Sequence, residues 1–442
     1  MKILTGNQVY FETVGRVEFE GVESDNPLAF RWYDPTRVVA GKTMAEHFKF
    51  ACTYWHSFNG NGSDPFGSPA HFYSWERKAS IVERAKEKMD SAFEFMTKMQ
   101  LPYYCFHDID LIDYTDDMLD NERNVEEIVA YAKEKQEQSG VKLLWGAANL
   151  FSHHRYMNGA STNPDFQVVA YAGAQVKVAL HATIELGGEN YVFGGGREGY
   201  MSLVNTNMKR ERAHLAQFLH MSKDYARKNG FQGTFFIEPK PFDPTKHQYG
   251  YDAETVVGFL REFDLLDDFK LNLVTGHATL AGHTFQHELQ VAADAGMLGS
   301  IAVNRSEYQK GWDTDQFPAD LNELTKAMLT VLEAGGLNGG GVNFDAKVKH
   351  NATDSLELFY AHIGGMDNFA RALLIADRIL QHSDYKKIRN ERYVSFNAGV
   401  GLDFEKDRLF LEDLWDHTIS YGTSEIKSSR QEYMENLIAR YL

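Results

Sequence analysis

The sequence has few cysteines and no long apolar run. Its 442 residues include two cysteines, Cys52 and Cys105, and both lie within apolar stretches. This usage predicts buried thiols rather than a disulfide framework, and the cytoplasm is the simplest compartment for such a chain. The N-terminus lacks the apolar core of a signal peptide, and no apolar stretch reaches the roughly 18 residues that a membrane helix needs. We therefore expect a protein that neither enters nor crosses a membrane.

Basic residues are scarce relative to acidic ones. Lysine and arginine number 45 against 62 aspartates and glutamates, which gives a net charge of −17. Nonspecific binding to nucleic acid or to an anionic membrane needs a basic surface, so the sequence argues against both classes of partner. With 43% hydrophobic and 24% charged residues, the composition is that of a globular enzyme with a large core rather than of a disordered chain.

Short apolar runs alternate with helical patterns along most of the chain. We predict strands at 48–55, 103–106, 142–147, 190–194, 233–239, 269–274, 299–304 and 341–346. The helical patterns that follow them cover 75–99, 124–138, 164–186, 208–228, 253–263, 284–296, 321–335 and 356–381. Strands joined by crossover helices form a parallel sheet, and eight such units close into an α/β fold, the (β/α)₈ TIM barrel. The alternation predicts an N-terminal extension at 1–45, a barrel at 46–384 and a C-terminal helical arm at 385–442.

Polar residues cluster where the predicted strands end. A TIM barrel carries its chemistry at the carboxyl ends of its strands, so these side chains should meet over one pocket. Crowded carboxylates repel one another strongly unless a cation is present, and oxygen ligands combined with imidazole favour Mg²⁺, Mn²⁺ or Co²⁺. The candidates are Trp55, His56, His107, Asp110, Asn149, Glu238, Lys240, His277, Asn304, Asp313, Asp315 and Asp345.

Each candidate also has an ordinary structural interpretation. A histidine such as His277 after a strand is usually a hydrogen-bonded loop residue, and the Asp-Thr-Asp at 313–315 alone is usually a turn. Their convergence on one barrel face favours a functional site. The His107-x-x-Asp110 spacing is one in which a carboxylate can orient an imidazole for proton transfer. The glycine run at 193–200 lacks the Lys-Ser/Thr of a phosphate loop, so we do not expect nucleotide binding.

Seven motifs resemble those of xylose isomerases of the longer class, which has an N-terminal extension. They are FHDID, WGAANLFSHHRYM, GGREGY, IEPKPFDPTKHQY, HATLAGHTFQHEL, GWDTDQFP and NFDAKV, and the resemblance runs from about Asn26 to the C-terminus. It implies a homotetramer in which the C-terminal arm clasps a neighbouring subunit. It also implies interconversion of xylose and xylulose, and of glucose and fructose more weakly. In that family two divalent metals, Mg²⁺ or Mn²⁺ or Co²⁺, polarise O1 and O2 of the sugar while a hydride shifts between C2 and C1.

The resemblance also implies individual roles. His107 and Asp110 match the pair that assists ring opening, and Lys240 matches a lysine that hydrogen-bonds the carbonyl oxygen of the substrate. Trp55 matches an aromatic wall of the sugar pocket. The ligands of the first metal are matched by Glu238 and Asp345, and those of the second metal by His277, Asp313 and Asp315.

Two positions depart from the family's ligand pattern. Val274 stands where the family has the glutamate that bridges both metals, and Ala302 replaces an aspartate of the first metal. Neither side chain can bind a metal, so we expect one ion or none. Two further departures alter the sugar pocket, since Gly194 replaces a tryptophan and Ala147 replaces a threonine. Asn158, Met201 and Asn207 depart from nearby motifs.

These departures leave three hypotheses. The first is a metal-dependent aldose–ketose isomerase with weakened activity, because loss of one metal removes stabilisation of the transition state. The second is a catalytically inactive relative that binds sugar or assembles with an active partner. The third is a one-metal barrel enzyme that acts on another sugar or polyol.

Overall fold

Eight parallel strands close into a barrel within the part of the chain that the structure describes. The structure is a computed structural model of residues 1–63, 67–309, 312–348 and 352–442, without the side chains of residues 312–314. The strands are β1 (Ala51–Thr53), β2 (Tyr103–His107), β3 (Lys142–Ala147), β4 (Asn190–Gly194), β5 (Thr234–Glu238), β6 (Phe269–Val274), β7 (Leu298–Ala302) and β8 (Val342–Asn343). Each strand pairs with the next, and β8 closes the ring on β1. The predicted TIM barrel is confirmed.

A helix follows every barrel strand and packs outside the barrel. These helices are α1 (Ile81–Met99), α2 (Met118–Ser139), α3 (Phe166–Glu185), α4 (Met208–Lys228), α5 (Ala253–Glu262), α6 (Phe285–Asp294), α7 (Leu321–Glu333) and α8 (Leu356–His382). Short helices at Tyr54–Ser57, Asp108–Leu111 and Thr275–Ala281 directly continue β1, β2 and β6. The predicted first and last strands were too long, because the chain turns helical at Tyr54 and leaves the sheet after Asn343.

Side-chain caps define where the outer helices begin. In α1 to α7, the residue before the helix accepts a hydrogen bond from a backbone N–H of the first turn, which otherwise has no partner within the helix. The capping residues are Ser80, Asp117, Asp165, Asn207, Asp252, Thr284 and Asp320. The α2 helix ends at Gly140, whose φ of 78° is a conformation that glycine adopts without strain.

The alternation of side chains along the strands divides the core into two layers. In β2, Tyr104 and Phe106 belong to the larger cluster between barrel and helices, while Cys105 belongs to a smaller cluster. The smaller cluster contains Ala51, Cys105, Leu144, Trp145, Ala147, Val192 and Phe236. Since successive side chains of a strand point to opposite faces, this smaller cluster fills the barrel interior. Cys52 and Cys105 are buried free thiols, as the sequence predicts.

The N-terminal segment is held against the outside of the barrel by buried carboxylates. Asp367 on α8 accepts hydrogen bonds from the backbone N–H groups of Arg31, Trp32 and Tyr33, at 2.8–2.9 Å. Glu94 on α1 accepts from the backbone N–H of Tyr10 and is also paired with Lys98. Buried polar groups need such partners, so these contacts fix the path of the segment.

The C-terminal region is helical and leaves apolar side chains exposed. It contains α9 (Tyr385–Glu391), α10 (Gly399–Glu405), α11 (Leu411–Tyr421) and α12 (Gln431–Ala439). Leu411, Trp415 and Ile419 lie at four-residue spacing on α11 and are 80%, 68% and 68% exposed. Spacing of four residues places the three side chains on one face of the helix. Among the described helices, none is both long and apolar enough to span a membrane.

We predict that Asp367→Ala destabilises the protein by about 3 kcal/mol, because buried N–H groups lose their acceptor. The measurement is the midpoint of thermal unfolding. Asp377→Ala on the same helix is the matched control, since Asp377 accepts from Gln381 at the surface. We expect Asp377→Ala to change the free energy of unfolding by no more than about 0.5 kcal/mol. Equal midpoints for the two variants would contradict the role given to Asp367.

Candidate active site

A cavity opens where the barrel strands end. It encloses about 1500 Å³ together with its open mouth. It gathers the predicted catalytic residues, the predicted aromatic wall and most of the predicted metal ligands. The side chain of Asp313 lies outside the described residues. The predicted residues that line the cavity are Trp55, His56, His107, Asp110, Asn149, Glu238, Lys240, His277, Asp315 and Asp345.

Asp345 is held by two donors from the helical turn after β1. The indole Nε1 of Trp55 donates to Oδ1 of Asp345 at 2.7 Å, and Nε2 of His56 lies 3.0 Å from the same oxygen. Burial by itself would raise the pKa of Asp345, but the hydrogen bond and charge of His56 hold that pKa well below its usual range. Asp345 is therefore an ionised carboxylate inside the cavity.

Glu238 ends β5 and faces the same space. Its Oε2 accepts a hydrogen bond of 2.7 Å from the side-chain amide of Asn272 on β6. Burial, reinforced by the charge of Asp345, raises the pKa of Glu238 to about 7. The two carboxylates thus repel each other across the cavity. A cation bound between them would relieve this repulsion.

The two apolar positions lie side by side between these carboxylates. Val274 ends β6 and Ala302 ends β7, and the two residues are paired in the register of the parallel strands. Val274 is 3% exposed and Ala302 is 1% exposed. In the order of the barrel, β5 ends at Glu238, β6 at Val274 and β7 at Ala302, and Asp345 follows two residues after the end of β8. The valine and the alanine therefore form an apolar stretch where the neighbouring strand ends carry acids.

A second group of candidate metal ligands lies beyond β6 and β7. Nδ1 of His277 lies 2.8 Å from the carbonyl oxygen of Pro239, which sets the orientation of the imidazole. Asp315 pairs with the ammonium of Lys347 at 2.8 Å and also accepts a long hydrogen bond of 3.4 Å from Asn304. An imidazole and a carboxylate with oriented partners are a pair of side chains that can bind a divalent cation.

His107 and Asp110 form the expected pair at the end of β2. Nδ1 of His107 lies 3.2 Å from Oδ2 of Asp110, which also accepts the backbone N–H of His107 at 2.8 Å. Burial would lower the pKa of His107, but the hydrogen bond and charge of Asp110 raise that pKa above its ordinary value. Asn59 donates to the other Asp110 oxygen at 3.2 Å. The carboxylate is thus positioned to orient the imidazole and to stabilise its charged form.

Aromatic rings form one wall of the cavity. The ring of Trp55 lies 4.5 Å from that of His107 and 5.4 Å from that of Trp145, measured between centroids. Phe151 packs edge-on against His107 at 5.6 Å. Space remains at Gly194 at the end of β4, because a Cβ atom added there would meet none of the described atoms within 4 Å. Such a wall suits the apolar face of a small polyol.

Comparison with known proteins identifies the family. The chain is 56% identical over 440 residues to "Xylose isomerase 2" of Xanthomonas campestris pv. campestris (strain 8004), covering 100% of this chain and 99% of that protein. "Xylose isomerase" of Xanthomonas oryzae pv. oryzae (strain MAFF 311018) matches with the same identity and coverage. The chain belongs to the xylose isomerase family.

Two further comparisons bear on parts of the chain. Residues 389–442 match the family model described as the XylA2 C-terminal domain, which covers the last three helices. A crystal structure of a protein from Rhodospirillum rubrum ATCC 11170 aligns with a TM-score of 0.50 at 14% identity, over 74% of this chain and 98% of that chain. At that identity the likeness concerns the fold alone.

Two contacts of this xylose isomerase family site were missed from the sequence. Asn272 holds Glu238, and Lys347 pairs with Asp315. Asn272 lies two residues before Val274 in the same strand, so the alternation of side chains would have placed it on the same face. Lys347 lies two residues after Asp345. Its partner is 32 positions away in the chain, and no local spacing indicates that contact.

We predict that Asp110→Asn lowers the pKa of His107 by about 1 or more, because the charge that stabilises the imidazolium is lost. The side-chain amide keeps an oxygen for the backbone N–H of His107. The measurement is an NMR pH titration of the His107 ring protons, with the exposed His181 as an internal control. An unchanged pKa of His107 would contradict the electrostatic coupling described here.

Proposed function

We propose that this protein interconverts D-xylose and D-xylulose with one divalent cation per subunit and at a reduced rate. Two observations support the reaction. The chain is 56% identical over its full length to proteins named xylose isomerase, and His107, Asp110 and Lys240 line one cavity. The reduced rate and the single cation are inferred from the apolar pair of Val274 and Ala302. These two side chains, which cannot bind a metal, occupy the strand ends between Glu238 and Asp345.

The donors fit one cation better than two. A pair of ions about 3.5–4 Å apart is normally held by carboxylates that reach both. Here the strand ends between Glu238 and Asp345 carry hydrocarbon, so the first site lacks its central donors. His277 and Asp315 would hold the remaining cation, together with Asp313 on the family pattern. Their mixture of carboxylate oxygen and imidazole suits Mg²⁺, Mn²⁺ or Co²⁺.

The side chains of the chain supply the other parts of the reaction. When bound, the divalent cation supplies a Lewis acid that polarises sugar oxygens. His107, oriented by Asp110, is placed to move a proton during ring opening. Lys240 reaches the cavity with an ammonium that can donate to the carbonyl oxygen of the open sugar. Trp55 and Trp145 hold one face of the sugar and exclude water from it.

The rate follows from the missing charge. A metal ion stabilises the developing charge on the reacting oxygens by several kcal/mol. Each 1.4 kcal/mol of lost transition-state stabilisation lowers the rate about tenfold. We therefore expect turnover about 100-fold or more below that of a complete two-metal site.

Two other candidate functions each have one supporting observation. The apolar pair also supports a catalytically inactive relative that binds sugar or assembles with an active partner. The open space at Gly194 supports a one-metal enzyme for another, bulkier sugar. Turnover of xylose separates the proposal from both of them.

We also propose a homotetramer in the cytoplasm. The exposed stripe of Leu411, Trp415 and Ile419 on α11 supports assembly through the C-terminal arm, since exposed apolar patches mark interaction surfaces. Cys52 and Cys105, buried and free, support a reducing compartment.

The experiment measures xylulose formed from xylose with Mg²⁺, Mn²⁺ or Co²⁺, for the natural protein and for Val274→Glu/Ala302→Asp. We expect slow turnover by the natural protein. In the double variant we expect a second bound ion by calorimetry with Mn²⁺, and turnover about 100-fold faster.

The matched control is Val274→Gln/Ala302→Asn, which adds the same volume without charge and should gain neither an ion nor activity. Absence of turnover by the folded natural protein with all three metals would contradict the proposed reaction. A double variant that binds no more Mn²⁺ than the natural protein would contradict the assignment of the two positions.

A further inference from the structure

A second cluster of imidazole and carboxylate groups lies outside the barrel cavity, between α5 and α6. It consists of His283 before α6, and of His287 and Glu288 in the first two turns of α6. One ligand atom from each side chain lies within 4.8 Å of the other two. None of the three lines the barrel cavity in the described part of the chain.

Two atoms of this cluster are buried and have no hydrogen-bond partner among the described residues. They are Nε2 of His287 and Oε1 of Glu288. Glu288 is 3% exposed, and its Oε1 lies 4.0 Å from Nε2 of His283. A buried carboxylate oxygen without a partner costs free energy comparable to a lost hydrogen bond, or more because it is charged. The two unpartnered atoms belong to neighbouring residues, so one bound group could serve as the partner of both.

The carboxylates near this cluster are oriented by backbone amides of α5. Oε2 of Glu288 accepts the N–H of Ala253 at 2.9 Å, which leaves Oε1 turned toward the histidines. Asp252 uses Oδ1 to cap Thr255 at 2.8 Å, and its Oδ2 lies 3.3 Å from Nε2 of His283. Each carboxylate is thus fixed through one oxygen and presents the other. Outer hydrogen bonds of this kind commonly orient metal ligands.

The two imidazoles are also brought together by the fold. Their ring centroids lie 4.4 Å apart with planes inclined by 30°. Thr284 caps α6 by accepting the backbone N–H of His287 at 3.2 Å, which sets where the helix begins relative to His283. Two imidazole nitrogens and carboxylate oxygens are the donors of many zinc sites, whereas Mg²⁺ prefers oxygen alone.

We propose that His283, His287 and Glu288 bind one transition-metal cation of the Zn²⁺ class, with Asp252 as the fourth ligand. Neighbouring ligand atoms of a tetrahedral zinc site lie about 3.4 Å apart, so the ligand atoms of His283, His287 and Glu288, now within 4.8 Å of one another, must move closer when the ion binds. The cation joins the starts of α5 and α6, next to the segment that carries His277. Its role is to hold that segment in place, and it takes no part in the sugar chemistry. His283 is 29% exposed, which gives ions from solvent access to the site.

The test is a calorimetric titration of the full-length protein with Zn²⁺ in excess Mg²⁺, which competes for the carboxylate oxygens of the barrel cavity. We expect one tightly bound Zn²⁺ per chain in the natural protein. His287→Ala should lose it. Glu288→Gln keeps an oxygen for Ala253 and preserves the fold, and it should bind Zn²⁺ at least about tenfold more weakly. A folded state by circular dichroism is required of each variant.

Two controls locate the ion. His181→Ala changes an exposed histidine on α3 and should keep the full Zn²⁺ stoichiometry. His277→Ala removes a donor from the barrel cavity and should keep it too, which makes this test independent of the isomerase proposal. No Zn²⁺ uptake by the natural protein, equal affinity in Glu288→Gln, or loss of Zn²⁺ in His277→Ala alone would each overturn the site.

Discussion

The closure of eight parallel strands on one face is the constraint on which the site depends. Every strand delivers its last inward side chain to the same small volume, so the residues at four successive strand ends decide the charge there. In this chain they lead to Glu238, Val274, Ala302 and Asp345. Two half-buried carboxylates thus flank two hydrocarbon side chains. The strand register places the two apolar residues against each other, so each supplies an apolar neighbour for the other.

The surrounding structure stabilises the remaining acids with hydrogen bonds and an ion pair from its own side chains. His56 and Trp55 hold Asp345, Asn272 holds Glu238, and Lys347 pairs with Asp315. Burying a carboxylate without partners would cost several kcal/mol, so these contacts let the cavity persist with fewer cations. Burial and the charge of Asp345 still raise the pKa of Glu238, so Asn272 offsets only part of the cost of placing a charge there.

Periodicity was a good guide to the fold. The predicted strands at 142–147, 190–194 and 269–274 and the helix at 208–228 agree with the structure, because strands buried on both faces are continuous apolar runs and outer helices have one apolar face. The larger strand errors fell at β1, where the chain turns helical at Tyr54, and at β8, which leaves the sheet after Asn343. The domain boundaries and the roles of individual site residues stay predictions.

The partners within the site were harder to predict. The pairing of Val274 with Ala302 depends on the stagger of the closed barrel, and the Lys347–Asp315 pair depends on a loop that returns to the cavity. The hydrogen bond from Ala253 to Glu288, which orients one member of the His283 cluster, joins α5 to α6. These three contacts join residues far apart in the chain, and no local spacing encodes them, whereas His283, His287 and Glu288 themselves lie within six positions.

We expect the barrel cavity to hold one divalent cation rather than two. Anomalous diffraction from crystals grown with Mn²⁺ distinguishes these cases, because each ion within the cavity gives a separate peak. We predict one peak, beside His277 and Asp315, and no second peak between Glu238 and Asp345. Two peaks about 4 Å apart, or none, would rule out a single-cation site.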